Sequence, residues 1–211
     1  MSSDVDRLAR EHLRERDPKL AIWMTRVGDL PLPRPEPFAL VHALARSIIF
    51  QQLNGKAAET IFGRLQQALG GRRVSARALA AADESDLRAA GVSGSKIRAL
   101  KDLAAHAQAR RLPSPDALHA MSDEEAIDKL TIVRGIGPWT VQMLLMFRMG
   151  RVDILPLSDF GVRAGAQLVH GLDAMPGTAQ LAELGAPWAP YRSLASLYLW
   201  RAVDTARENK D

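Results

Sequence analysis

The sequence predicts an all-α protein, and three observations carry that prediction. Apolar residues recur at helical spacing in segment after segment. Capping residues and glycine or proline stops separate the segments, and strand signals are almost absent, with only 151–157 ("RVDILPL") reading as extended. The 211 residues suffice for one or two domains with a true core, and 47% hydrophobic against 25% charged residues is ordinary globular composition.

The elements follow in order. Asp4–Arg16 and Pro18–Val27 read as helices, and the prolines of "GDLPLPRPEP" then stop helical structure until Phe38. "FALVHALARSIIFQQ" carries a helical stripe at Leu40, Val41, Leu44, Ile48 and Ile49. Asn54 is placed to cap a helix over 55–69, which Gly70-Gly71 ends. Short helices are expected over 75–82 and 84–90, where Asp83, Glu84 and Ser85 suit a first turn. A glycine turn and a long amphipathic helix fill "GVSGSKIRALKDLAAHAQARR". Ser122 with Glu125 forms a capping box for a helix running to about Val133. Helices near 138–149, 159–170, 177–185 and 191–207 complete the chain.

Composition excludes several chemistries. With no cysteine there is no disulfide, thiolate zinc site, cysteine-ligated iron–sulfur cluster or cysteine nucleophile. The lack of cysteine also fits a cytoplasmic location. No apolar run approaches the roughly 18 residues that span a bilayer. The N-terminus is charged at once and shows no signal-peptide core. Twenty-eight basic against 24 acidic residues give a formal charge of +4, a mild tilt that permits a nucleic-acid partner without requiring one.

The unusual chemistry lies in "VRGIGPWT", Val133 to Thr140. Gly135 and Gly137 flank Ile136 between two helices, and Pro138 suits the first turn of the second. Such a hairpin can aim free helix amides at an anion, a DNA phosphate being the obvious one; it can equally be an αα-corner with a glycine cap. Asp159, after "LPLS", opens the next helix. It can serve as an N-cap, as a carboxylate facing a developing cation, or as both.

"LTIVRGIGPWTVQMLLM" followed by "DILPLSDFGVR" resembles the signature of the helix-hairpin-helix (HhH-GPD) DNA glycosylase superfamily, and most closely its AlkA-type 3-methyladenine branch. "SIIFQQLNGKAA" and "PYRSLASLYLWR" match further blocks, so the resemblance covers about residues 17 to 205. The long AlkA-type enzymes carry an additional N-terminal β-rich domain for which this chain has no room, so it resembles the compact form. The resemblance implies a two-lobed helical fold with the active site in the interlobe cleft. Residues 37–152 would form the central lobe containing the hairpin, and 1–36 with 153–211 the second.

The resemblance implies hydrolysis of the N-glycosidic bond of a flipped-out base in double-stranded DNA, with Asp159 stabilising the oxocarbenium-like sugar and orienting water. Alkylated bases of the 3-methyladenine type, 7-methylguanine and 1-methyladenine are the expected substrates. They already carry positive charge and need no acid to leave, in keeping with the lack of histidine in the motif region. His42, His106, His119 and His170 read as structural or surface groups, and His12 as solvated. Where lyase members of the superfamily keep a Schiff-base lysine this chain has Trp139, which cannot form an imine, so a monofunctional enzyme is expected. Trp139, Met143, Phe160 and Trp200 would surround a base that stacks on electron-rich rings, although Trp200 can also be read as core. Some relatives place a tyrosine at the Met143 position, which leaves pocket width and substrate range open.

Gln52 and Leu53 occupy the wedge turn that would fill the hole left by the base, or else simply end a helix in solvent. Ser95, Lys96, Arg134, Gly135, Ile136, Gly137, Thr140 and Arg163 are candidate DNA contacts, the charged ones also readable as solvated surface. The resemblance further suggests a sodium or potassium ion on the backbone carbonyls of Thr131, Val133 and Ile136. No redox cofactor or catalytic metal is expected. The protein would be a monomer in the cytoplasm, at the nucleoid. A non-catalytic damage-binding module and a glycosylase for a neutral damaged or mismatched base are the competing readings.

Overall fold

The structure, a computed structural model, describes residues 4–208. The helices are α1 Asp4–Arg16, α2 Pro18–Val27, α3 Leu40–Phe50, α4 Gly55–Ala68, α5 Ala76–Ala81 and α6 Glu84–Ala89. They continue with α7 Gly94–Gln108, α8 Pro115–Ala120, α9 Asp123–Leu130, α10 Pro138–Phe147, α11 Phe160–His170, α12 Thr178–Gly185 and α13 Arg192–Glu208. Among the described residues there is no strand, and no helix is long and apolar enough to cross a membrane. The two expected caps are in place: Asn54 accepts from the third residue of its helix, and Ser122 and Glu125 close the capping box; Ser75 and Ser93 cap α5 and α7 in the same way.

Three details differ from the sequence expectation. Helix α8 was not anticipated, because a single turn begun by Ser114 and Pro115 is too short to show a period. Helix α9 stops at Leu130 rather than near Val133, since Thr131 already caps it. Residues 151–157 are not a strand but a loop tied to the start of α13. Ser193 donates from its hydroxyl to Arg151 O (2.7 Å) and accepts from Ile154 N–H (2.9 Å), and Arg192 forks onto Asp153 at 2.7 and 2.9 Å.

The chain divides into two compact units. One runs to Glu36 and resumes at Leu145, and the other is Pro37–Leu144. The second boundary thus falls inside α10 rather than at the expected 152. Arg148 pairs with Glu36, and Gly150 (φ +67°) lies so close to Pro35 that a Cβ there would meet its ring nitrogen at 2.6 Å.

In the first unit α11 packs on α13, with α2 and α1 completing a core of Leu13, Leu20, Met24, Trp188, Tyr198 and Leu199. The proline-rich segment is not a slack linker. Buried Asp6 accepts from Leu32 N–H at 3.0 Å and pairs with Arg34, while the Tyr198 hydroxyl accepts from Leu30 N–H at 3.1 Å. His12, expected to be solvated, is half-buried, edge-on to Tyr191 and 3.1 Å from Pro187 O. In the Pro37–Leu144 unit α7 is the spine. It packs on α3, α5 and α6 through Ile97, Leu100 and Leu103, which are buried with Leu44, Ile48 and Leu79.

Candidate active site

Asp159 is the N-cap of α11. Its Oδ1 accepts from Val162 N–H at 2.7 Å, satisfying one of the orphan amides of the first turn, and from Trp200 Nε1–H at 2.8 Å. Its own N–H donates to Pro156 O at 2.9 Å, so the loop entering the helix is fixed as well. Two donors on one oxygen set the plane of the carboxylate.

The indole reaches that oxygen because residue 161 is glycine. A Cβ there would lie 2.6 Å from Trp200 Cδ1 and 3.2 Å from Asp159 Oδ1. One turn on, Gly165 does the same for the backbone: a Cβ would meet Leu199 O at 2.3 Å. The two glycines let α11 lie directly on α13 and bring an acid on one helix to an indole on the other. The Trp200 ring is stacked on Phe147, with centroids 6.1 Å apart and planes 28° apart. Phe160, the next residue after Asp159, is 67% exposed, far more than a large aromatic side chain held for the core.

In the Pro37–Leu144 unit the turn between α9 and α10 is closed by Val133 N–H on Leu130 O and Ile136 N–H on Val133 O (3.2 and 3.0 Å). Gly135 adopts φ +79°, a left-handed conformation that explains this glycine by itself. Gly137 has no such reason. Its φ is not positive and nothing lies within 4 Å of a would-be Cβ, so the missing side chain serves to leave the surface bare. A bare backbone at the mouth of a helix is what an incoming phosphate requires. Ile136 is buried, anchoring the turn from beneath.

Trp139, Thr140 and Met143, on the first turns of α10, line a cavity of about 400 Å³ together with Ser47, Phe50, Gln51 and Gln52. Trp139 is 43% exposed while Thr140 is buried in the wall, so the indole and thioether present the cavity surface and the threonine supports it. Arg46 borders the same cavity, its guanidinium 3.7 Å above the Phe50 ring and paired with Glu59 at 2.6 Å. Arg46, Ser47 and Phe50 were not singled out from sequence. They sit on α3 at the spacing of a core helix, and nothing local separates a cavity wall from a core face.

The wedge candidates stand on an unusual turn. Gln52 takes φ +57°, left-handed for a residue with a Cβ, and Leu53 is exposed. Such a conformation persists only when its surroundings hold it. Lys96 reaches the backbone that leads into this turn. Its ammonium donates to Ile49 O at 2.7 Å and Gln51 O at 2.9 Å, and burial lowers its pKa from the ordinary lysine value. Lys96 thus faces inward rather than outward to a phosphate.

Arg163 is likewise engaged, its Nε–H donating to Pro176 O at 2.8 Å. Ser95 is exposed with its hydroxyl 3.1 Å from that of Ser93. Arg134 is exposed, and its N–H donates to Asp102 Oδ2 at 2.8 Å. Of the histidines, His42 Nδ1 accepts from Val74 N–H at 3.1 Å, and His170 is held near Asp17 and Trp188, both structural.

Residues 45–190 match the family described as "HhH-GPD superfamily base excision DNA repair protein". The chain is 33% identical over 180 residues to DNA-3-methyladenine glycosylase 1 of Schizosaccharomyces pombe, covering 85% of this chain and 78% of that protein. Its structure is similar to the crystal structure of DNA-3-methyladenine glycosidase from Bacillus halodurans, with a TM-score of 0.84 and 35% identity over 95% of this chain and 91% of the other. It is also similar to the 3-methyladenine DNA glycosylase of Schizosaccharomyces pombe in complex with abasic DNA, with a TM-score of 0.81 and 32% identity over 92% and 95% of the two chains.

Proposed function

Since the chain belongs to the HhH-GPD superfamily of base excision DNA repair proteins, we propose that it is a monofunctional DNA glycosylase that hydrolyses the N-glycosidic bond of alkylated bases. The observation that carries this reading is the fixed carboxylate of Asp159, oriented by a helix amide and by the Trp200 indole. The relatives named for 3-methyladenine glycosylase activity support it over most of the chain's length.

The reaction begins with a nucleotide turned out of the duplex, its place in the stack taken by Gln52 and Leu53. The bond from C1′ to the base nitrogen breaks and the base leaves with the electron pair. The sugar acquires oxocarbenium character, which the Asp159 carboxylate opposes electrostatically. Water adds to C1′ and gives up its proton to the carboxylate or to solvent, leaving an abasic site.

Residues 130–163 contain no histidine that could protonate a leaving base. This favours bases that leave without protonation, namely 3-methyladenine, 7-methylguanine and 1-methyladenine. Trp139 and Met143 provide the face on which a cationic base would stack, and Trp139 offers no amine for strand cleavage. Gly135 and Gly137 would receive the DNA backbone.

The proposal extends to a sodium or potassium ion at the hairpin. Thr131 is the C-cap residue of α9, and Ile136 precedes Gly137, which accepts the first α10 bond from Val141 N–H at 3.2 Å. These carbonyls and that of Val133 suit a hard monovalent cation, which would add positive charge beside a bound phosphate.

The test is base release from methylated duplex DNA, compared with duplexes carrying hypoxanthine or a mispair, with strand breaks scored before and after alkali. Free methylated bases, with breaks only after alkali, are expected. Asp159→Asn should reduce release about a hundredfold or more, in the range of losing a principal electrostatic group, with duplex affinity nearly unchanged. DNA binding without release by the unaltered protein would favour a damage-binding module instead. Near-normal turnover by the asparagine variant would refute the role of the acid.

A further inference from the structure

We propose that Lys96 is a positioning residue whose ammonium clamps the end of α3 so that Gln52 and Leu53 are held ready to enter the DNA stack; this rests on the glycosylase reading above. The carbonyls of Ile49 and Gln51, which Lys96 binds, stand three residues and one residue before the left-handed Gln52. A cation at the carbonyl end of a helix is favourable in itself, and here it also braces the residue on which the strained turn hinges.

Gln51 makes a second tie. Its side-chain amide donates to Gly135 O at 2.7 Å, joining the wedge turn to the hairpin. The hairpin in turn rests on α7: Ala99 Cβ lies 3.5 Å from where a Cβ of Gly135 would stand, and Asp102 accepts from Arg134 N–H. Lys96, Ala99 and Asp102 are spaced i, i+3 and i+6, one stripe of a single helix. That stripe sets the wedge turn and the phosphate-facing hairpin in one register. The rigid element is therefore α7, and Lys96 is its contact with the wedge.

A loosened clamp leaves the hairpin able to hold duplex while the turn relaxes out of the left-handed conformation. The loss falls on insertion and on the step that follows it. A phosphate-contacting lysine behaves differently: its removal weakens duplex binding uniformly and reduces the salt dependence.

The experiment compares the unaltered protein, Lys96→Met, Lys96→Arg and Gln51→Ala in three measurements. These are single-turnover release of 7-methylguanine at saturating protein, affinity for unmodified duplex at several salt concentrations, and fluorescence of a 2-aminopurine beside an abasic-site analogue. Lys96→Met should lower the single-turnover rate and the fluorescence change by about tenfold or more, as small misplacements of a reacting geometry do. Duplex affinity and its salt slope should stay within about threefold, less than the effect of losing one phosphate contact. Lys96→Arg should recover much of both signals.

Should Lys96→Met prove too unstable, Gln51→Ala removes the hairpin tie from a half-exposed position and should shift the same two signals in the same direction. Insertion and rate unchanged in these variants, or a loss confined to affinity and salt slope, would overturn the proposal while leaving the glycosylase reading intact. Insertion that depends on Lys96 without base release by the unaltered protein would support the clamp and refute the glycosylase.

Discussion

At Asp159 the two fixed donors matter more than the acid alone, because an N-cap carboxylate by itself is common. The Trp200 indole separates two explanations of a tryptophan that the family resemblance would put beside the base. Were Trp200 only a stacking surface, phenylalanine would retain most of its effect. With Nε1–H on Asp159 Oδ1 at 2.8 Å, phenylalanine keeps the ring near Phe147 but removes the donor that orients the carboxylate. A hydrogen bond to a charged group contributes about 1.5–3 kcal/mol, discounted here because the indole is only partly buried. Trp200→Phe is therefore expected to lower single-turnover base release by roughly tenfold, with affinity for duplex and melting temperature little changed. Release within about twofold of the unaltered protein would assign Trp200 to stacking alone.

At the scale of elements, the contact between α11 and α13 decides whether that hydrogen bond exists. Gly165 has the Leu199 carbonyl where its side chain would be, so an alanine cannot be absorbed by a rotamer change and the helices must separate. Overpacking of this kind typically costs about 1–3 kcal/mol, and each kcal/mol corresponds to about 2–4 °C in a chain of this size. Gly165→Ala should melt several degrees lower and, measured well below its melting temperature, should also release base more slowly because Trp200 moves from Asp159. A variant equal to the unaltered protein in both respects would remove the argument for close packing. The helices themselves were legible in the chain because caps and periodicity are local signals. Ser122 with Glu125, Asn54 with Gly55, and Asp159 before Phe160 each declare a helix start. The residues that shape the candidate site were less legible. Lys96 reads as a surface charge until α3 is seen ending against it, and Gly161 and Gly165 give no local sign of what they admit. Gln51 and Gln52 both read as a helix end, and only the fold shows which side chain reaches Gly135.

For the molecule as a whole, a formal charge of +4 supplies little long-range attraction to DNA, so recognition depends on the fold being held in shape, and stability against acid bears on function directly. His170, at the far end of the helix that Asp159 opens, is a partly buried group whose titration bears on that stability. Its ring is stacked on Trp188, its Nε2 lies 3.4 Å from Asp17 Oδ2, and Lys19 donates to its carbonyl. Asp17 in turn caps α2 and accepts from Trp188 Nε1–H at 2.8 Å, so α2, α11 and the turn before α13 meet at this imidazole. Burial lowers the pKa of His170, and the positive charge of Lys19 acts in the same sense; the Asp17 carboxylate opposes them without reversing the direction. The folded state therefore prefers the neutral ring. Above the unfolded value of about 6.5 both states are neutral and the group adds no pH dependence. As pH falls below that value the unfolded chain binds the proton first, so stability declines down to the lower folded value and then levels. A single proton can contribute at most about 1.4 kcal/mol per pH unit to that slope. Melting temperatures of the protein and of His170→Gln, taken at half-unit steps between pH 8 and 5, should run parallel above neutrality and converge below it, with the glutamine variant showing the shallower acid limb. Parallel curves throughout would show that the acid sensitivity of the fold lies in its carboxylates and not in this histidine.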